Sequence, residues 1–434
     1  MSSVRSQNAE TQVTVIVIGA GERGQLYCQY ALELPERLKV VGVADPKEFS
    51  RNHLQKLHNI PEDKVFDDWS KVISYGKFAD AVIITTPDKF HRDIAVAFAN
   101  EGYHILLEKP MATTEQGCRD ITEACLHNGV MLSVCHVLRH YPPMRKIKEM
   151  IDSGAVGEVI NIQHIEQVGY WHFAHSFVRG NWCCEEKSTF SLLAKCCHDV
   201  DLLSWWMNKY RCTKVSSFGS LSHFRKENKP NGASSRCLDC KIEQDCCYSA
   251  KKIYLDMHKR GISGWPVSVI CDTPSVKSIT DSLQHGPYGR CVYDSDNDVC
   301  DNQVVNLSFS GGQTATLTMV AFTESLCQRV VRVFGTKGEL NLNADGQLQL
   351  YDFLRQQTVE VQVETPIVLS EVQKSLSSHA IADYLLMDNF VEAVARKDPS
   401  IISTSPEEIL TSHLLVFQAE KARRESCVIS LDDH

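Results

Sequence analysis

The chain lacks the features that mark membrane, secreted or nucleic-acid-binding proteins. No apolar run approaches the ~18 residues that a membrane-spanning helix needs. The polar residues 1–11 contain no apolar core of a secretion signal. There is no basic block, and acidic residues outnumber basic ones by 54 to 45, which argues against nucleic acid as a partner. We therefore expect a cytoplasmic protein that binds neither a membrane nor nucleic acid.

Length and cysteine content narrow the class further. At 434 residues the chain exceeds the size of a single core, so two domains are expected. Cysteine is abundant, with 18 residues spread along the chain. Without a secretion signal, these are expected to be thiols or metal ligands rather than disulfides.

A glycine-rich turn follows the first apolar run. The segment Val13–Ile18 has the continuous apolar character of a parallel strand buried on both faces. It leads into Gly19-Ala20-Gly21-Glu22-Arg23-Gly24 and then a helical pattern. This is G-x-G-x-x-G between a strand and a helix, the fingerprint that lets a pyrophosphate approach the backbone. Gly19, Gly21 and Gly24, with Glu22 and Arg23, are therefore predicted to bind a dinucleotide.

An acidic residue follows the second predicted strand. Asp45 comes directly after the apolar segment 39–44, about twenty residues past Gly24. A carboxylate there accepts hydrogen bonds from ribose hydroxyls and repels a 2′-phosphate. The sequence thus favours NAD over NADP, although Lys47 and Arg51 lie close enough to leave NADP open.

A lysine follows a later strand. Apolar strands 80–84 and 103–107 alternate with helical patterns, which predicts a doubly wound parallel sheet. The last of them ends in Glu108-Lys109-Pro110, at the carboxyl edge where such sheets bind ligands. Lys109 is therefore a candidate catalytic acid, the alternative being a solvated loop.

Together these motifs resemble those of the glucose–fructose oxidoreductase/inositol dehydrogenase (Gfo/Idh/MocA) family. The matching residues are Gly19 to Gly24, Ala44-Asp45, Thr86-Pro87 with His91, Glu108-Lys109-Pro110, and Cys197-His198-Asp199-Val200-Asp201. The resemblance implies an α/β Rossmann domain over residues 11–137 and an α+β domain over 138–430 with a large, mostly antiparallel open sheet. It also implies nicotinamide-dependent chemistry on a sugar, polyol or related carbonyl compound, and a homodimer or homotetramer.

His198 is the second candidate catalytic residue, because a helical histidine that titrates near neutrality can relay a proton. Members of the resembled family usually carry an aspartate four residues earlier, where this chain has Ala194, followed by Lys195. Two interpretations of Lys195 stay open: contact with an anionic or polar substrate group, or a salt bridge to Asp199.

Further substrate candidates surround these residues. The segment 170–182 mixes aromatic rings with histidine, arginine and asparagine, which suits either a sugar-like ligand or a loop that plugs the sheet. This chain has His136 at a position where members of the resembled family often have asparagine. The predicted substrate residues are His136, Arg139, Tyr141, His175, Arg179, Trp182 and Lys195.

A cysteine-rich insertion covers about residues 226–300. Cys237 and Cys240 have C-x-x-C spacing, and Cys246 and Cys291 complete the four soft ligands that a structural zinc prefers. The alternative is a set of buried reduced thiols.

Three functions remain open on the sequence. The first is an NAD(P)-dependent dehydrogenase or reductase in which Lys109 is the acid/base. The second is a regulatory protein that binds the dinucleotide without catalysis. The third is a lyase or hydrolase that retains NAD and oxidises its substrate transiently.

Overall fold

The computed structural model describes residues 12–364 and 380–431, which fall into two compact units. The first unit contains the residues up to Tyr141 together with those from Ala380 to His413. The second runs from Pro142 to 364 and from Leu414 to 431. The polar residues 1–11 and the last three residues of the chain, on which two predictions rested, lie outside the described residues.

The first unit is built on a parallel sheet. Within the described residues six strands form it in the order β3-β2-β1-β4-β5-β6. The strands are β1 (Val13–Ile18), β2 (Leu38–Ala44), β3 (Val65–Phe66), β4 (Ala81–Ile84), β5 (His104–Leu107) and β6 (Leu132–Val134). Every residue of β4 is buried, because helices cover both faces of such a sheet. The predicted doubly wound sheet is confirmed.

Helices follow these strands in alternation. They are α1 (Glu22–Glu33), α2 (Glu48–His58), α3 (Trp69–Tyr75), α4 (His91–Asn100) and α5 (Glu115–His127). The Thr114 hydroxyl caps α5 by accepting a hydrogen bond from the Gly117 N–H.

The second unit is built on a mostly antiparallel sheet. Within the described residues nine strands form it in the order β14-β13-β12-β11-β7-β10-β9-β8-β15. The strands are β7 (Val159–Gln167), β8 (Cys212–Ser220), β9 (Asn302–Phe309), β10 (Thr314–Val320), β11 (Gln328–Gly335), β12 (Gly338–Leu342), β13 (Leu348–Asp352), β14 (Gln357–Val361) and β15 (Ile429–Ser430). Strands β7 and β10 pair in parallel, and the predicted large open sheet is confirmed.

Helices of the second unit flank this sheet and fill the insertion. They are α6 (Pro142–Asp152), α7 (Tyr170–Phe173), α8 (Ser191–Trp206), α9 (Asp256–Lys259), α10 (Val267–Ile270) and α11 (Val276–His285). The insertion has an apolar core of its own, in which Tyr254, Ile279 and Leu283 are buried. The sequence patterns predicted no helix there.

The last two helices are α12 (Ala380–Arg396) and α13 (Pro406–Glu425). Leu386, Phe390 and Val391 of α12 are buried in the same core as Val15 and Tyr27 of the first unit. The sequence assigned this helix to the second domain, but its apolar face belongs to the Rossmann core. None of the helices in the described ranges is long and apolar enough to cross a membrane.

The packing of α12 makes a prediction about stability. Phe390→Ala removes a ring that is 0% exposed, which should lower the free energy of unfolding by about 3–5 kcal/mol in urea denaturation followed by circular dichroism. Leu126→Ala is the matched control in the same unit, since Leu126 is 52% exposed and should change stability by less than about 0.5 kcal/mol. Equal effects of the two substitutions would contradict the placement of α12.

Candidate active site

In the glycine turn after β1, the first and third glycines have no room for a side chain, whereas the second does. Gly19 has φ of +97°, and a Cβ there would lie 2.7 Å from the Thr85 backbone. A Cβ on Gly24 would lie 2.2 Å from the Gly19 carbonyl oxygen. At Gly21, by contrast, a Cβ would meet nothing within 4 Å. The first and third glycines thus close the turn against the sheet, while the second leaves its backbone open to a ligand.

The polar groups around this turn are arranged for a dinucleotide. No side chain caps the amino end of α1, so its first N–H groups are oriented as in phosphate-binding helices. The Asp45 carboxylate accepts hydrogen bonds from the backbone N–H groups of Ala20 and Lys47, both at 2.7 Å, and so lies beside the turn. In the described residues, the buried Thr86 hydroxyl has no hydrogen-bond partner. These residues fit a bound NAD.

Arg51 lies close to Asp45, the carboxylate predicted to bind the ribose. Its Nη1 donates to the carbonyl oxygens of Asp45 and Pro46, both at 3.1 Å. A guanidinium at this edge offsets part of the repulsion that Asp45 exerts on a 2′-phosphate.

Glu108 is held as an anion beneath Lys109. Its Oε1 accepts hydrogen bonds from Arg23 Nε at 2.5 Å and from the Tyr27 hydroxyl at 2.8 Å. Its Oε2 accepts the Lys109 backbone N–H at 2.8 Å. Burial alone would raise the pKa of Glu108, but Arg23 and Lys109 outweigh it and hold that pKa below the usual value. The Glu108 side chain therefore fixes the backbone from which the partly exposed Lys109 projects.

A histidine connects the ends of β4 and β5. The fully buried His91 places Nδ1 2.8 Å from the Pro110 carbonyl oxygen and Nε2 2.9 Å from that of Thr86. Pro87 precedes the turn that leads to this histidine. His91, Thr86 and Pro87 therefore join the two strand ends that carry the predicted cofactor residues.

A pair of stacked histidines contacts the chain two residues after Lys109. His413 Nε2 accepts the backbone N–H of Met111 at 3.0 Å, and the His413 ring stacks on His136 with centroids 5.1 Å apart. His413 is 302 residues from Met111 in sequence, and no motif marks it. It is a site residue that sequence reasoning missed.

The neighbouring substrate candidates have structural partners in the first unit. Arg139 is buried and lies 3.7 Å from the Glu408 carboxylate and 3.5 Å from the Ser403 carbonyl oxygen. Tyr141 packs against the apolar core of this unit. The structure gives both residues a packing role, and their contact with substrate stays a prediction.

In the second unit, α8 carries the buried His198 and is anchored to the sheet by charged side chains. Asp199 accepts hydrogen bonds from His164 Nε2 at 2.7 Å and from Arg329 Nε at 3.0 Å. Desolvation opposes ionisation of Asp199, but Arg329 and His164 outweigh it and lower its pKa. The charged Asp199 thus fixes the helical turn on which His198 lies.

Lys195 pairs with a different carboxylate from the one predicted. Its Nζ lies 3.3 Å from Glu166 Oε1 and 2.9 Å from Cys327 Sγ, whereas Asp199 is bound by His164 and Arg329. The interpretation of Lys195 as a salt-bridge partner of Asp199 is therefore wrong. Arg329 also lies 2.7 Å from Glu166, so the two cations and two carboxylates balance. The cluster has no surplus positive charge for an anionic substrate.

The segment 170–182 folds into helical turns that contact the insertion. The His175 Nδ1 lies 2.8 Å from the Tyr254 hydroxyl, and burial lowers the pKa of His175 to about 3. Arg179 donates to the carbonyl oxygens of Arg290 and Tyr248, both at 2.8 Å. Trp182 is half-buried beside Phe177. The structure places His175 and Arg179 in the packing of the insertion.

The four predicted metal ligands lie in the same part of the insertion. A β-bridge between Arg236 and Arg290 places Cys237 and Cys291 on adjacent segments. Among the described residues, however, the four sulfur atoms do not form a set in which three lie within 4.8 Å of one another. Arg179 Nη2 lies 3.5 Å from Cys237 Sγ. All 18 cysteines are free thiols in the structure.

Comparisons with known proteins match this architecture. Residues 13–136 match a family model described as an oxidoreductase family with an NAD-binding Rossmann fold. Residues 148–426 match the C-terminal alpha/beta domain of the same oxidoreductase family.

Individual relatives extend over different shares of the chain. YteT of Bacillus subtilis, which is named as an oxidoreductase, is 24% identical over 86% of this chain and 87% of its own length. An inositol 2-dehydrogenase of Klebsiella pneumoniae is 27% identical over 48% of this chain and 58% of that enzyme. A solved oxidoreductase from Agrobacterium radiobacter, in complex with NAD+, L-tartaric acid and magnesium, superposes with a TM-score of 0.68. It is 13% identical, and the match covers 97% of this chain and 98% of that one.

The two family models together span most of the sequence, and the glycine turn, Asp45 and Lys109 lie where the family's Rossmann domain matches. The chain belongs to the Gfo/Idh/MocA family of NAD-binding oxidoreductases.

Proposed function

We propose that the protein is an NAD(P)-dependent dehydrogenase or reductase that acts on a CH–OH group of a sugar or polyol. The observation that carries the proposal is Lys109, which projects from a backbone fixed by Glu108 at the carboxyl end of β5. The glycine turn and Asp45 lie in the same unit. The inositol 2-dehydrogenase among the relatives supports a polyol as the substrate class.

The proposed division of labour follows from these residues. When bound, the nicotinamide supplies the acceptor or donor of hydride. Lys109 holds the reacting oxygen and moves its proton, because an ammonium beside an alkoxide stabilises the developing charge. His198, on α8 of the second unit, is the second proposed acid/base residue. Lys195 contacts a polar, uncharged group of the substrate, since Glu166 already balances its charge.

Substitution of the lysine tests this assignment. Lys109→Met should lower the rate of NADH formation by about 10²–10⁴-fold, because the proton transfer loses its acid/base while the cofactor turn is intact. A panel of sugars, polyols and sugar acids scored by NADH fluorescence provides the measurement. Lys89→Met is the matched control on the surface of the same unit and should leave the rate unchanged.

The same preparation distinguishes the alternatives. NAD that dissociates on dialysis, with net NADH formed by the wild type, supports the dehydrogenase. Tightly held NAD with no net NADH would favour the transient oxidation of a lyase or hydrolase. Cofactor binding with no turnover and no effect of Lys109→Met would favour the regulatory protein.

We further propose a structural zinc held by Cys237, Cys240, Cys246 and Cys291. The β-bridge that joins residues 236 and 290, and the C-x-x-C turn beside it, support this set of ligands. Small motion of these segments would be needed to bring the sulfur atoms to a common centre. A zinc ion would connect the loop segments of the insertion to one another.

Metal analysis of the purified protein tests the zinc site. We expect about one equivalent of zinc, and a loss of most of it in Cys240→Ser. Cys427→Ser, which removes an exposed thiol outside the insertion, is the control and should keep the metal. Less than about a tenth of an equivalent of zinc and iron in the wild type would contradict the proposal.

We also propose that the protein is a cytoplasmic homodimer or homotetramer. The free state of its cysteines supports a reducing compartment. A mostly apolar row on one sheet face supports self-association: Phe218 pairs with Val304 and Ile165 pairs with Val330, with Thr318 between the two pairs. Phe218 is 68% exposed and Ile165 is 37% exposed, so a second copy would bury them.

A charge in this row tests the interface. Phe218→Asp should shift the protein toward a monomer in size-exclusion chromatography with light scattering, because an unpaired carboxylate would have to be buried. Leu354→Asp is the control, since Leu354 is 92% exposed outside the row. A monomeric wild type, or an oligomer unaffected by Phe218→Asp, would overturn the proposed interface.

A further inference from the structure

The second unit contains a partly exposed cysteine between two hydrogen-bond donors. Cys327 Sγ lies 2.9 Å from Lys195 Nζ and 3.1 Å from His172 Nδ1. All three side chains are partly accessible to solvent. We call Cys327, Lys195 and His172 the Cys327 cluster.

The geometry makes the sulfur an acceptor on both sides. The Lys195 ammonium can only donate hydrogen bonds. The His172 Nδ1 also lies 3.2 Å from the Val168 carbonyl oxygen, which only accepts, so Nδ1 carries a hydrogen that it shares between this oxygen and the sulfur. Two donors directed at one sulfur stabilise the negative charge that the sulfur carries when it reacts as a thiolate.

The surroundings of Cys327 reinforce this arrangement. Arg329 Nη1 donates to the Cys327 carbonyl oxygen at 2.8 Å and holds the backbone of the cysteine, while Glu166 and Asp199 balance the charge of Arg329. Burial opposes protonation of Lys195, but Cys327 and Glu166 outweigh it and raise the pKa of Lys195, which therefore stays charged. Partly exposed cysteines beside a lysine ammonium are those that react with electrophiles and oxidants.

We propose that Cys327 is a modification site whose thiolate reacts with hydroperoxides and soft electrophiles ahead of the other accessible cysteines. With hydrogen peroxide, the sulfur forms a bond to one oxygen while the O–O bond breaks. The sulfur is oxidised by two electrons to a sulfenic acid and the peroxide is reduced. The departing hydroxide takes a proton from Lys195 and leaves as water, and solvent restores the Lys195 proton.

The chain supplies an internal reference for the test. Cys427 is exposed, and its Sγ lies 3.8 Å from the Glu425 carboxylate, so Cys427 has an anion beside it where Cys327 has the Lys195 ammonium. If exposure alone governed reactivity, Cys427 would react faster than Cys327. If the Cys327 cluster governs it, the order is reversed.

Competitive labelling of the intact protein measures that order. The protein is treated with substoichiometric N-ethylmaleimide, quenched and digested, and adducts at each cysteine are quantified by mass spectrometry. We expect Cys327 to be labelled roughly tenfold faster than Cys427. Brief hydrogen peroxide followed by dimedone should place the sulfenic acid adduct at Cys327.

Variants separate the charge from the packing. Lys195→Met should reduce labelling of Cys327 to the level of Cys427 or below, while Lys195→Arg should retain it because the positive charge remains. The buried Cys196 reports unfolding, since it is labelled only if the second unit opens. If Lys195→Met unfolds the second unit, the test rests on the labelling rates of Cys327 in the wild type and in Lys195→Arg.

Two results would overturn the proposal: Cys427 labelled as fast as Cys327 in the wild type, or unchanged labelling of Cys327 in a folded Lys195→Met. The readout is labelling rather than turnover. A failure here therefore leaves the proposed dehydrogenase function standing, and a failure of that function leaves this site standing.

Discussion

The first unit depends on one buried carboxylate, that of Glu108. It accepts hydrogen bonds from Arg23 on α1, from Tyr27 one turn later, and from the backbone of Lys109. Arg23 also donates to Asp383 of α12 at 2.7 Å. Glu108 thus joins the helix that begins at the glycine turn to the strand end that carries the candidate acid/base. An anion buried without these donors would be strongly destabilising, so the contacts must form together. Because a buried, unpaired charge is so unfavourable, the position of Lys109 relative to the glycine turn is fixed.

In the second unit, too, buried charged groups hold a helix against the sheet. Asp199 and Glu166 face Lys195 and Arg329 between α8 and strands β7 and β11, and the opposite charges cancel. A buried network of this kind specifies which turn of the helix lies on which strand, because a shift by one residue would leave a charge unpaired. His198 lies on that turn. Its placement therefore follows from charge pairing as much as from apolar packing.

Sequence reasoning succeeded where a short segment carries the whole signal. Strands β1 and β4 have continuous apolar sequences because both of their faces are buried. Asp45 and Lys109 became candidates because they directly follow such strands, and their roles stay predictions. Strand β8 was missed because serine and threonine occupy much of it and only alternate positions face the core. No local pattern could show that α12 packs with the Rossmann core, since an amphipathic helix does not reveal which core it joins. For the same reason, nothing in the sequence pointed to the contacts of His413 and Asp383. An aromatic-rich segment has the same sequence pattern whether it lines a pocket or packs against an insertion.

The central claim is that the Glu108 contacts position Lys109 for proton transfer. Steady-state kinetics of Glu108→Gln, with the best substrate of the sugar and polyol panel and with cofactor affinity measured separately, test it most directly. The amide has nearly the same shape but no charge to bind Arg23. The account predicts a kcat at least about tenfold below that of the wild type and a lower free energy of unfolding, because the partly buried Arg23 loses one of its two anions. A folded Glu108→Gln enzyme that turns over at the wild-type rate would contradict the account.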